Sequence, residues 1–356
     1  MLVLLSSSAR RRYTDDIVRA LAHPAGTEVR FRYGEKYLEP DLAARYQRER
    51  AANLPGIICH LASPAGQAVL LIPCRFVTVS RIQKVGSSYV FTLRVGEFVK
   101  DLDDLKLRDL MTPDEVALLP LAKSDAKSPP GRFVFEISDA LVPFRALPSE
   151  AMTAFEDTTE ALRRDAKFEA GQSIAFFSVL SLSPAMDGPA LEPEGGRYEL
   201  ESGRRYFLDV YSYSPEGEGN PSDAMTLVAS ADDSDLKFSS ETVAKLDSRY
   251  DLIRFAFSIE QRLFELPAGL RLALSVPHKA DGKDMEQRCD IMLDLRFRGS
   301  LRLAFARVAM IAIGSATPAI IGAYAAGKGS LGLATVMFIA ALFAGVATVF
   351  PALKKA

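Results

Sequence analysis

Apolar and polar residues alternate in several runs along this chain, and that period of two predicts strands with one buried and one wet face. Val29, Phe31 and Tyr33 alternate with Arg30 and Arg32; Ile253, Phe255, Phe257 and Ile259 make a second run, and Leu270, Leu272, Leu274 and Val276 a third. In the first 121 residues the pattern predicts a strand at 2–5 and a helix at 13–22. That helix has Ile17, Val18 and Leu21 on one face and Thr14-Asp15-Asp16 in its first turn. A second helix opens at Pro40-Asp41. Strands at 57–61, 68–72, 76–82 and 89–95 follow, with a turn at Gly86-Ser87-Ser88, and 100–121 reads as partly helical. Residues 122–131 are short, polar and closed by Pro129-Pro130-Gly131, the best linker candidate, with one strand at 133–137 after it. A helix at 149–164 then precedes roughly seven strands spaced as in an antiparallel sandwich.

The pattern changes near residue 301. Residues 308–326 and 331–353 contain no charge, and each run is long enough to cross a hydrocarbon core of about 30 Å. Arg296, Arg298, Arg302 and Arg307 precede the first run and Lys354 with Lys355 follow the second, so the positive-inside rule puts both ends in the cytoplasm. Small residues line both runs at helical spacing: Ala312, Ser315, Ala316, Ala319, Gly322 and Ala323 in one, Ala341, Ala344, Gly345 and Thr348 in the other. They serve either to close the hairpin on itself or to join hairpins of several chains. Pro318 is the hinge candidate, with Ser315 and Thr317 placed to satisfy freed carbonyls. Only Gly299 and Ser300 separate the last strand from this segment, which fits either a transmitting joint or a plain anchor.

The expected fold class is therefore an α+β membrane protein. Its parts are a mixed α/β, β-rich domain over 1–121, a linker with a connecting strand over 122–148, a helix plus antiparallel β-sandwich over 149–298, and a transmembrane helical hairpin over 299–356. The expected location is the bacterial inner membrane, crossed twice, with the N-terminal domains and the C-terminus cytoplasmic.

Charge narrows the partners. Residues 301–356 carry five basic side chains and no acidic one, which leaves 38 basic against 45 acidic over 1–300, a net of −7. That excess argues against general nucleic-acid binding, which draws on a surplus of Lys and Arg. The expected partners are the lipid bilayer and either a protein partner or further copies of the chain. Cys59, Cys74 and Cys289 form no CxxC pair, which suits a reducing compartment. The apolar start is only about five residues long, and Arg10, Arg11 and Arg12 follow it, unlike a signal peptide.

Candidate chemistry is sparse. GxxxxGK[ST], GxGxxG and GxSxG do not occur. His23, His60 and His278 stand at no metal-ligand spacing and read as turn or edge residues; no catalytic residue, metal or cofactor is expected. The candidate ligand site is the strand–loop–helix opening, where Ser6, Ser7, Ser8, Arg10, Arg11 and Arg12 either form an anion site suited to a small nucleotide or are a solvated basic turn near the membrane. Arg30, Arg32 and Arg45 either join it or are solvated charges. This opening resembles that of nucleotide-sensing, TIR-like α/β domains, although the β-rich text after it departs from them.

In layout alone, a β-rich part followed by two C-terminal spans resembles the two-transmembrane effectors of bacterial antiviral signalling systems. The resemblance implies a non-enzymatic sensor whose hairpin oligomerises or perturbs the membrane. The alternative is a constitutive membrane-anchored adaptor that docks a protein partner, and the third reading is an enzyme that binds a nucleotide in its N-terminal domain.

Overall fold

The computed structural model describes residues 1–7, 11–42, 45, 53–62, 69–120, 131–137, 141–165, 175–186, 188–213, 225–234, 236–246, 249–260, 266–277, 285–298 and 339. Strand β1 (Leu2–Ser7) is buried along its whole length and feeds helix α1 (Arg11–Ala22). Strands β2 (Glu28–Gly34), β3 (Leu54–Ala62), β4 (Leu70–Val85), β5 (Ser88–Phe98) and β6 (Val134–Glu136) complete a six-stranded sheet ordered β2-β5-β4-β3-β1-β6. β1 and β3 run parallel, with Leu4 opposite Ile58, and this near-continuous apolar pair lies deep in the sheet, as parallel strands do. The outer strands are antiparallel and keep the one-sided alternation of β2.

Two short helices cover part of one face. Asp103 caps α2 (Asp104–Asp109) by accepting the Lys106 N–H at 2.8 Å. Thr112 and Glu115 form a reciprocal capping box on α3 (Pro113–Leu118), whose first residue, Pro113, needs no amide partner. Leu107 and Met111 thereby reach the apolar cluster of Val3, Leu5, Ile57, Cys59, Phe76 and Phe135.

Helix α4 (Ala151–Leu162) leads to two facing sheets. Their strands are β7 (Phe176–Ser183), β8 (Tyr198–Glu201), β9 (Arg205–Tyr213), β10 (Met225–Ala231), β11 (Leu236–Phe238), β12 (Val243–Leu246), β13 (Tyr250–Ile259), β14 (Leu266–Pro277) and β15 (Met285–Arg298). One sheet is ordered β12-β10-β14-β15-β8, the other β11-β13-β9-β7. Leu272 and Leu293 from the first meet Leu208 and Phe257 from the second in a core that continues through α1 to Phe31 and Phe91. Arg19 of α1 reaches across, its Nε donating to the Asp290 carbonyl at 3.2 Å.

The structure corrects the expected class. The fold is mostly β, and no helix among the described residues is long and apolar enough to cross a membrane. The longest, α1 and α4, have 12 residues each; twelve residues rise about 18 Å, well short of a bilayer core of about 30 Å. An α+β membrane protein crossing an inner membrane twice is therefore not supported. The expected hairpin over 299–356, with its small-residue strips and Pro318, lies outside the described residues apart from Ile339.

Smaller corrections have local causes. The segments expected as strands 68–72 and 76–82 are one strand, β4, bent by irregularities at Arg75/Val77 and Val79/Arg81. Pro73, which cannot donate to a ladder, sits where the β3–β4 register shifts. The facing sheets are not wholly antiparallel, because β8 pairs parallel to β15, Leu295 opposite Tyr198. The short strand after the expected linker, β6, pairs with β1 of the first sheet.

Candidate functional site

Cross-strand neighbours in a ladder share a face, so the pairing register states what each face of the first sheet carries. Ile57 of β3 lies opposite Phe76 of β4, and both belong to the cluster under α2 and α3. The next residue of β4 on that face is Thr78, opposite Arg94 of β5, which in turn faces Glu28 of β2. One row further, Thr92 stands between Arg30 and Arg81; the last row holds Arg32, Val90 and Gln83. A single face thus has an apolar half covered by helices and a polar half bearing Arg30, Arg32, Arg81 and Arg94.

All four arginines are exposed. Among the described residues no carboxylate lies within ion-pair distance of any of them. The acidic groups closest in the register have other hydrogen-bond partners: Glu28 accepts from Ser80 Oγ at 3.2 Å, and Glu35 pairs with Lys84 at 2.8 Å. The opposite face of the same strands is apolar, with Val29, Phe31, Tyr89, Phe91 and Leu93 buried against the core. Arg30 and Arg81 are two strands apart, about 10 Å, and Arg30 and Arg32 are two residues apart, about 7 Å. The β4–β5 hairpin fixes this geometry, turning through Gly86 at φ +61.

The expected anion site is arranged differently. Ser6 and Ser7 are buried at the end of β1, and Ser6 Oγ donates to the Tyr13 carbonyl at 2.8 Å. Arg11 and Arg12 open α1, whereas Ser8 and Arg10 lie outside the described residues. Arg30 and Arg32 are not brought there, since β5, β4 and β3 separate β2 from β1. Arg45 pairs with Glu136 on β6, next to β1 and at the other edge of the sheet from Arg30 and Arg32.

Three polar groups in the interior were not legible as such in the sequence. His60, read there as a turn or edge residue, is fully buried in β3, its Nε2 2.9 Å from Oδ2 of an equally buried Asp165. Its neighbour Cys59 faces the opposite cluster, because successive strand residues alternate. Arg75 is buried at the bend of β4. Its Nη2 donates to the Gly96 carbonyl at 2.7 Å, Nη1 to the Leu21 carbonyl at 3.4 Å, and its guanidinium lies 3.8 Å over the Phe98 ring. His23 is also buried, 3.2 Å from Thr27 Oγ1, and burial lowers its pKa to about 4, helped by Arg75 and Arg19. His278 lies outside the described residues. These contacts brace the sheet against α1 and the chain after α4.

A second cluster lies between α4 and the β9–β13 face. Tyr211 and Tyr250 stack at 5.9 Å, Tyr213 is 5.1 Å from Tyr250, and the Tyr211 hydroxyl donates to Glu156. Burial pushes the Tyr213 phenol up to about 12. Glu160 pairs with Arg163 at 3.6 Å and with Arg249, so the charges here are mutually satisfied. The three cysteines are buried free thiols, with Cys74 and Cys289 each pushed up to about 12 by burial, far from the thiolate form nucleophiles need. Among the described residues no group of three or more His, Cys, Asp or Glu could hold a metal ion.

No family model matches this sequence, and no curated protein matches it. Among solved structures, a similarity is found to a Bacteroides ovatus GH5 xyloglucanase in complex with a XXXG heptasaccharide, at 14% identity and a TM-score of 0.17. It covers 34% of this chain and 19% of that chain. At that TM-score the likeness carries no argument about fold or activity.

Proposed function

We propose that this chain is a non-enzymatic recognition adaptor that docks a negatively charged protein partner on the open half-face of its first sheet. The observation that carries the reading is the set of four exposed arginines, Arg30, Arg32, Arg81 and Arg94, with no carboxylate at ion-pair distance among the described residues. Arginine presents a planar fork that engages carboxylates through two hydrogen bonds, and charge complementarity of this kind selects partners and speeds encounter. The packed core beneath the face fixes the strands from which the arginines project. The effector reading depended on a membrane hairpin and is not carried forward, and the adaptor is proposed here without the membrane anchor expected for it.

The test is retention of the full chain on immobilised polyglutamate across a salt gradient. The native chain is expected to be retained and to elute at moderate salt. A variant with Arg30→Ala, Arg32→Ala, Arg81→Ala and Arg94→Ala should flow through while unfolding at the same temperature. Equal retention of the two proteins, or flow-through of both, overturns the reading.

A further inference from the structure

The hydrogen bonds of β2 direct part of its backbone away from the sheet. Val95 N–H donates to the Thr27 carbonyl at 2.8 Å, and Glu35 N–H donates to the Ser87 carbonyl at 2.9 Å. In an antiparallel ladder, hydrogen-bonded and non-hydrogen-bonded pairs alternate. Odd-numbered residues of β2 therefore bond to β5, while the N–H and C=O groups of Arg30, Arg32 and Gly34 point outward. β2 ends the sheet, and among the described residues no strand pairs with its outer edge.

The open length of that edge is defined. A Cβ on Gly26 would lie 2.6 Å from Pro193 Cγ, and one on Gly196 would lie 3.0 Å from Glu28 Cγ, so the 193–196 turn lies against the start of β2. At the far end the chain turns into the 3-10 helix Glu35–Tyr37. Between them, Arg30, Arg32 and Gly34 present outward backbone groups, and two of these residues, Arg30 and Arg32, present their side chains on the bare half-face.

We propose that the partner docks as an extended acidic segment added as a seventh strand to the β2 edge, with carboxylates at alternate positions opposite Arg30 and Arg32. This rests on the adaptor reading given above and specifies its mode. A strand placed there sets the side chains of its paired residues on the same face as the arginines, at the same spacing of about 7 Å. Backbone pairing supplies affinity, and the alternating acids supply register. Like charge opposite Glu28 is disfavoured, which limits the acidic stretch to the Arg30–Arg32 side. The observations favour a peptide over a nucleic-acid strand. The residues between the arginines are Thr78, Thr92, Val90 and Gln83, with no aromatic ring on which a base would stack, and the chain carries 45 acidic against 43 basic side chains.

The test uses the full chain and four probes in fluorescence anisotropy. They are a seven-residue peptide alternating Thr and Glu, an isomer with its glutamates contiguous, the alternating peptide N-methylated at its pairing amides, and hexathymidylate. The alternating peptide should bind, and the contiguous and N-methylated peptides should each bind about tenfold more weakly, because each loses register or backbone bonds. Arg30→Ala and Arg32→Ala should each weaken the alternating peptide several-fold, and its binding should slow amide exchange at Arg30 and Arg32. If all three peptides bind equally, strand addition is overturned while the adaptor reading stands. If hexathymidylate binds and no peptide does, both fall.

Discussion

The two halves of the first sheet's outer face share a ladder, a twist and a set of strands, yet one is sealed and the other open. On the sealed half, Val3, Leu5, Ile57 and Phe76 face Leu107 and Met111; on the open half the corresponding positions are Arg30, Arg32, Arg81 and Arg94. The backbone is indifferent to this choice, since residues at i and i+2 share a face whatever their chemistry. Apolar residues there recruit a cover and contribute to stability. Solvated arginines contribute almost nothing to folding and leave the surface available to a partner. Stability and recognition thus occupy adjacent parts of a single sheet face.

The comparison breaks most sharply at Phe135, which is fully buried in the sealed half. Phe135→Ala is expected to cost about 3–5 kcal/mol through lost burial and a residual cavity. Val90→Ala, on the open half, should change stability by less than about 0.5 kcal/mol. Urea unfolding of the two variants measures the contrast; similar midpoints would mean that the open half is covered after all.

A second large effect lies off the sheet, in the turn that follows α1. His23 has a folded pKa of about 4 against an ordinary 6.5, so the unfolded chain binds a proton more readily. The stability tied to its neutral form is fully present above pH 6.5. It is lost as the pH falls from there towards 4, by about 3 kcal/mol in all at 1.36 kcal/mol per unit. His23→Gln should flatten the dependence of unfolding midpoint on pH across that window. A variant as acid-sensitive as the native chain would show that other groups set the slope.

These effects also show what the sequence could and could not disclose. Strand β2 was readable because Val29, Phe31 and Tyr33 bury one face while charges occupy the other, a signal contained within seven residues. Strand β15 was readable for the same reason, with Cys289, Ile291, Leu293, Leu295 and Phe297 all buried. Pairing was not readable. Arg30 and Arg81 are separated by 51 positions, and only the β2-β5-β4 register makes them neighbours on one face. The same holds for His60 and Asp165, 105 positions apart. The serines and arginines near residue 10 stand out in the sequence because they are contiguous, yet the exposed basic array comes from three strands.

A smaller effect is expected at the turn that sets the open half. Gly86 has φ +61, and a Cβ there would meet nothing within 4 Å, so Gly86→Ala carries backbone strain without a clash. The left-handed conformation costs an L-residue about 1–2 kcal/mol. The loss should be local: amide exchange should quicken along the β4–β5 ladder near Val85 and Ser88 and stay unchanged in the β1–β3 pair. Uniform quickening across the sheet would mean that its two halves unfold as a unit.

The smallest effect on folding is the one that matters most for the comparison. Arg30→Ser combined with Arg94→Ser removes two exposed charges that have no acidic partner among the described residues, so stability should move by less than about 0.5 kcal/mol. Binding should respond in the opposite proportion, with retention on polyglutamate falling and its salt dependence flattening, because each removed cation deletes one charge-assisted contact. A pair of substitutions silent in unfolding and large in binding is what separates a surface kept for a partner from one kept for the fold. Should the double variant instead unfold several degrees lower, the arginines serve the sheet itself, and the open half would be structural in the same sense as the sealed one.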